Sequence, residues 1–220
     1  MIEQEARFLA VEPSVHLAVA RVRALDGFTL VTRRRERQWN TYFDTPDLRL
    51  RRAGCVLKLR QAGRACEVTF KRALGYRRGV ATRLELSAPL RAGALRGRHP
   101  EPMKRARALA GSQPLRAAFT LFTDRRQLRF RRGAECVEVD VDRVVYRAGR
   151  RVRACRLEVE VENLTASSAT FHGVIRALQR RFPKQLRRSS VSKYEYGFRA
   201  AGLAASGRRS ATGRVSLAYR

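Results

Sequence analysis

Glu158, Glu160 and Glu162 take alternate positions in "CRLEVEVEN" (155–163), within a chain where 48 Lys and Arg outweigh 19 Asp and Glu for a net charge of +29. Alternate side chains of an extended strand share a face, so these carboxylates stand in a row, with Val159 and Val161 on the other side. Neighbours in the row lie about 7 Å apart. At an effective dielectric near 20, each neighbouring pair repels by roughly 2 kcal/mol. Such a row requires water, arginine partners or a bound metal.

Other stretches repeat the arrangement with both signs of charge. Glu3, Glu5 and Arg7 share a face near the start of the chain. Lys58 and Arg60 alternate with Leu57 and Leu59, Glu67, Thr69 and Lys71 with Val68 and Phe70, and Arg83 and Glu85 with Leu84 and Leu86. Glu138, Asp140 and Asp142 alternate with Val137, Val139 and Val141. An antiparallel sheet with one face in water accounts for any one of these strands. A closed barrel accounts for them jointly, with charged sides lining a lumen and apolar sides facing helices. Carboxylates on one wall and Lys or Arg on another suit a polyphosphate chelated to a divalent metal.

The elements that must position these residues are legible as runs of partial alternation at 1–9, 29–43, 55–61, 65–72, 81–88, 117–131, 135–146 and 152–163. Gly63, the Gly75–Gly79 stretch and Gly133 fall between runs as turns, which predicts locally connected antiparallel strands. Helical spacing appears at 13–25, where Val15, Ala18, Val19 and Val22 follow Pro13 and Asp26-Gly27 supplies a stop, and at 167–182, with a weaker pattern at 101–110. The expected unit is one α+β domain over 1–200, an antiparallel eight-stranded β-barrel with helices packed outside. Residues 201–220 contain no acid and read as a basic, disordered C-terminal tail, dispensable for folding.

Composition narrows the chemistry. Cys55, Cys66, Cys136 and Cys155 form no C-x-x-C pair and read as reduced, buried thiols. His16, His99 and His172 lack paired spacing, and there is no nucleophile elbow, Walker loop or G-x-G-x-x-G. The acidic Met1-Ile2-Glu3-Gln4-Glu5 is unlike a secretory signal and no apolar run reaches bilayer length, so a cytoplasmic protein without a membrane span is expected. The positive excess favours polyanions, including polyphosphate or nucleic acid contacting the basic surface and tail. Aromatic content of 8% without a stacking ladder argues against a dedicated single-strand binder.

Taken in order, "IEQEARF", "TYFDTPDLRLRRAGCVLKLRQ", "EVTFKR", "TRLEL", "LEVEVE" and "SKYEYG" resemble the motifs of the CYTH superfamily, the triphosphate tunnel metalloenzymes. The resemblance spans about 1–198. It implies an eight-stranded tunnel and metal-dependent hydrolysis of inorganic triphosphate or a small organic triphosphate, with Mg²⁺ or Mn²⁺. A class IV-type adenylate cyclase or a non-catalytic binder of polyphosphate or nucleic acid are the alternatives. Carried over by motif, Glu3, Glu5, Glu158 and Glu160 would bind metal, with Glu162 towards the tunnel mouth. Lys58, Arg60, Lys71, Arg83, Arg125 and Lys193 would hold phosphates. Glu5, Arg7, Glu85 and Asp142 would serve the reaction, Glu85 by organising the basic wall and Asp142 by ordering water. Two positions depart from the pattern: Arg7 stands where the family signature has Lys, and Ser87 fills the last acidic slot of R-x-E-x-E.

Overall fold

In the computed structural model, which describes residues 1–90 and 99–203, long strands form wherever charged and apolar residues alternate. They are β1 (Ile2–Ala10), β3 (Phe28–Asp44), β4 (Cys55–Ala62), β5 (Ala65–Arg77), β6 (Val80–Pro89), β7 (Arg116–Arg132), β8 (Glu135–Ala148) and β9 (Arg151–Asn163). They pair in the order β1-β6-β5-β4-β3-β7-β8-β9, and β9 returns to β1, closing an antiparallel barrel. Two short strands extend it: β2 (Ala24–Leu25) on β3 and β10 (Leu186–Arg188) on β1. Closure leaves the eight long strands without a free edge running their whole length.

The apolar sides face outward and are covered by helices. α1 (Pro13–Val19) and α4 (Ser168–Arg181) bury Val15, Val19, Phe171, Val174, Ile175 and Leu178 against Phe8, Val139, Val141, Val159 and Val161. Ser167 caps α4 by accepting from the Thr170 amide at 3.2 Å. α2 (Arg49–Arg52) and α3 (Glu101–Ala110) cover β4 and β5, where Leu50, Ala106 and Ala110 pack on Leu57, Val68 and Phe70. Part of the wall formed by β3, β7 and β8 stays open to solvent, and Trp39 there is 44% exposed. Among the described residues, no helix is long and apolar enough to cross a membrane.

Three expectations change. The helix expected over 13–25 ends at Val19, because Asp26 (φ 50°) and Gly27 (φ 78°) form a two-residue hairpin that pairs Leu25 with Phe28 instead of merely stopping a helix. A further helix, α5 (Lys193–Ala200), packs into one end of the barrel, where Tyr194 and Phe198 meet Tyr42, Phe119, Leu121 and Tyr146. Of the four cysteines, Cys55 and Cys136 are buried, but Cys155 lies on an exposed outward position. Most of the expected tail, from residue 204 onward, lies outside the described residues.

Candidate active site

Pleating sends the charged member of each alternating pair inward, where the side chains enclose a cavity of about 310 Å³. β1 contributes Glu3, Glu5 and Arg7, β6 Arg83 and Glu85, β5 Lys71, and β4 Lys58 and Arg60. β3 contributes Gln38, Asn40 and Tyr42, and β7 Thr123, Arg125 and Gln127. β8 adds Glu138 and Asp140, β9 adds Glu160 and Glu162, and α5 adds Lys193 and Tyr194. The lining thus carries seven carboxylates and seven Lys or Arg side chains, and in formal charge it is close to neutral. Acids gather on β1, β8 and β9, and most of the cations face them from β4 to β7.

Nearly every lumen cation is already held by a carboxylate. Lys71 Nζ donates to Glu3 Oε1 at 2.6 Å and lies 2.8 Å from Glu85 Oε2. Arg83 Nη1 lies 2.9 Å from Glu5 Oε2 and 3.3 Å from Glu3 Oε2. Arg7 pairs with Glu5, and lies 3.8 Å from Glu160. Arg125 donates to both oxygens of Asp142, at 2.9 and 2.7 Å, and also pairs with Asp140 and Glu160. Lys193 bridges Asp142, at 3.0 Å, and Glu160.

Burial and these partners divide the acids. Burial alone would raise Glu5 and Asp142, but Arg83, Lys71 and Lys193 bring Glu5 down to about 2, and Arg125 with Lys193 does the same for Asp142. Burial prevails at Glu160, pushed up to about 7 with help from Glu5, and at Glu162, pushed up to about 8 with help from Glu3. Asp140 is driven well above the usual carboxylate range by burial, against the pull of Arg125. On the basic wall Lys58 has no ion pair among the described residues, and burial, Lys71 and Arg60 push it down to about 7.

One group of lumen acids is clustered closely enough to hold a cation. Carboxylate oxygens of Glu138, Asp140 and Glu162 lie within 4.8 Å of one another, and Asp140 Oδ1 is buried without a hydrogen-bond partner among the described residues. Three clustered hard oxygen donors, one of them unsatisfied, match the coordination chemistry of Mg²⁺ or Mn²⁺.

The structure brings most of the residues expected in the site into one lumen: Glu3, Glu5, Arg7, Glu85, Glu160, Lys58, Arg60, Lys71, Arg83, Arg125 and Lys193 all line the cavity. Two do not. Glu158 is 2% exposed and accepts from Tyr146 Oη at 2.5 Å, beneath the cavity wall. Asp142 is fully buried beneath Arg125 and Lys193. In their place the lining holds Glu162, Glu138 and Asp140. The sequence signals for these were the alternations of "VEVDVD" and "LEVEVE", but their union depends on strand register, which sets Glu138 opposite Glu162 and Asp140 opposite Glu160.

The sequence model of the CYTH domain matches residues 1–195. The chain belongs to the CYTH family. Solved structures agree with the CYTH barrel at the level of fold. An adenylyl cyclase candidate from Hippeastrum, described as having a dominant triphosphatase activity, superposes with a TM-score of 0.63 at 18% identity, over 89% of this chain and 94% of that one. An adenylate cyclase candidate from Bacillus halodurans gives 0.59 at 18% identity, over 88% and 96%. A protein from Pyrococcus horikoshii OT3 gives 0.53 at 15% identity, over 87% and 97%. No curated protein matches this CYTH chain in sequence.

Proposed function

We propose that this CYTH protein is a metal-dependent triphosphatase that hydrolyses inorganic triphosphate or a small organic triphosphate. The observation that carries the reading is the closed lumen in which an acidic wall with a cation-sized cluster faces a wall of Lys and Arg. Glu138, Asp140 and Glu162, with Glu160 beside them, would hold Mg²⁺ or Mn²⁺, which when bound neutralises phosphate charge. Glu3 and Glu5, expected as ligands, lie one strand away and are engaged by Lys71, Arg83 and Arg7. They keep the basic wall in place, as does Glu85 through Lys71.

Lys58, Arg60, Lys71 and Arg83 receive the phosphate oxygens from one side, and Arg7, Arg125 and Lys193 from the other. Arg7 retains a buried Nη2 with no hydrogen-bond partner among the described residues, a donor suited to a phosphate oxygen. Asp142 acts as a positioning residue through Arg125 and Lys193, and Glu158 through Tyr146. A water oxygen attacks the terminal phosphorus, the bridging P–O bond breaks and its electrons leave with the pyrophosphate, or with the organic diphosphate when the substrate is organic. The water's proton passes to a lumen carboxylate. Catalysis rests on positioning and charge, without a covalent intermediate.

Phosphate release from tripolyphosphate, thiamine triphosphate and ATP, each with and without Mg²⁺ or Mn²⁺, tests the reading. Metal-dependent release from at least one is expected, and release from none would sink it. Cyclic AMP and pyrophosphate from ATP would replace hydrolysis with cyclisation.

A further inference from the structure

The lumen lining balances its charges, so the +29 excess resides elsewhere. Some of it lies on the stretch of outer wall left open by the helices. Outward positions of β3 place Arg33, Arg35 and Arg37 in a column, and antiparallel register sets Arg35 beside Arg126 on β7. Arg37 stands beside Asp124, which in turn neighbours Arg143 on β8. Asp124 is the carboxylate of this patch, and Arg35 donates to both of its oxygens, at 2.9 and 2.6 Å. Arg33, Arg37, Arg126 and Arg143 have no ion pair among the described residues.

The adjoining row is apolar. Trp39, the chain's single tryptophan, pairs across the strands with Phe122, and Phe122 with Val145. The Trp39 and Phe122 rings sit 5.0 Å apart between centroids, and Trp39 is 44% exposed. Their separation in sequence conceals this pair, which is why no stacking surface is legible along the chain. The contiguous row of Trp39, Phe122 and Val145 on an open sheet face offers an anchor for a partner. The surrounding arginines decide which kind. A second copy of the chain would press one positive wall against another, at an electrostatic cost. An occupant with both negative charge and flat apolar faces satisfies the whole patch.

We propose that this wall binds single-stranded nucleic acid, with bases stacked on Trp39 and Phe122 and phosphates held by Arg37, Arg126 and Arg143. Arg37 on β3 and Arg143 on β8 flank Asp124 from its two neighbouring strands, and Arg126 follows on the same face of β7, so the three cations lie together beside the aromatic row. Aromatic platforms beside a cationic track bind single strands with little sequence preference. This inference is independent of the chemistry in the lumen.

The full-length protein is titrated into a fluorescein-labelled oligouridylate of about 12 nucleotides, whose anisotropy gives the affinity of every variant, while in the wild type fluorescence from the single tryptophan reports on Trp39. Expected results are quenching of that fluorescence, affinity about tenfold lower for Trp39→Ala, and near wild-type affinity for Trp39→Phe. The salt slope should be shallower by about 1 for Arg37→Ala. Circular dichroism and thermal melting confirm that each variant is folded. Equal oligouridylate affinity in wild type and Trp39→Ala would overturn the proposal, since charge or another segment would then account for binding. Equally tight, quenching binding of polyglutamate would overturn it in favour of an acidic protein partner. Self-association abolished by Trp39→Ala would overturn it in favour of a dimer interface.

Discussion

At the scale of single residues, Glu162 and Glu158 belong to the same row yet have different surroundings. Glu162 lines the cavity beside Glu138 and Asp140, while Glu158 is taken up by Tyr146. Gln keeps the size of Glu and an accepting oxygen but removes the charge. Glu162→Gln is therefore expected to lower Mn²⁺-dependent phosphate release at subsaturating metal by at least about tenfold, the effect of losing about 1.4 kcal/mol. Glu158→Gln should keep activity within a few-fold, because Tyr146 still has an acceptor. The reverse order in the two phosphate-release assays would return the cation to the inner end of the row. Lys58 supplies a pH signature. Its folded pKa, about 7, lies below its ordinary value of 10.5, so the folded protein resists protonating it. Stability is lowest while Lys58 is charged, below about 7, and rises towards 10.5 as the folded state sheds that proton. Lys58→Met should melt higher than wild type at pH 6, by a margin that shrinks at pH 9. A margin independent of pH would mean that Lys58 is fully hydrated.

At the scale of elements, the eight long strands were legible because a wall that is charged on one side and apolar on the other imposes period 2 on the sequence. How far along the barrel each carboxylate sits was not legible. Alternation specifies a face, whereas depth follows from the stagger between strands, which is why Glu162 lines the cavity while Glu158 lies beneath its wall. α5 was hidden for another reason. Its eight residues, with Gly197 inside, carry little helical preference of their own. The helix owes its position to the aromatic pocket around Tyr42, Phe119 and Tyr146. Gly197 is needed there for space: an added Cβ would lie 2.1 Å from the Phe119 ring. Gly197→Ala should lower stability by about 1–3 kcal/mol through overpacking. Because α5 also carries Lys193, activity should fall before the protein unfolds. Denaturant melts and phosphate release measured on one preparation check both, and unchanged values would show that α5 can slide without cost.

At the scale of the whole molecule, the partition of charge explains how a chain with net +29 tolerates a row of glutamates: seven of its 19 acids line the lumen, together with an equal number of Lys and Arg side chains. Closure of the barrel sets the order in which that interior can come into being. β1 carries Glu3, Glu5 and Arg7, but its partner β9 lies far along the chain, and the register joins Gln4 to Asn163 across 159 positions. During synthesis at the usual 5–20 residues per second, β1 waits roughly 10–30 s for that partner to emerge. Its charged face keeps the waiting strand soluble. Pairings between distant segments also form late and slowly when a denatured chain refolds. The last act of folding is thus the one that sets β1 beside β9, whereas Glu138, Asp140 and Glu162 lie on β8 and β9, a hairpin whose strands follow each other in the chain. The cation cluster is older than the tunnel that comes to enclose it. In refolding from denaturant, Mn²⁺ binding should return with strand circular dichroism, and phosphate release, which needs the closed lumen, should follow later. Mn²⁺ binding that recovers only together with phosphate release would make closure a condition of the cation site.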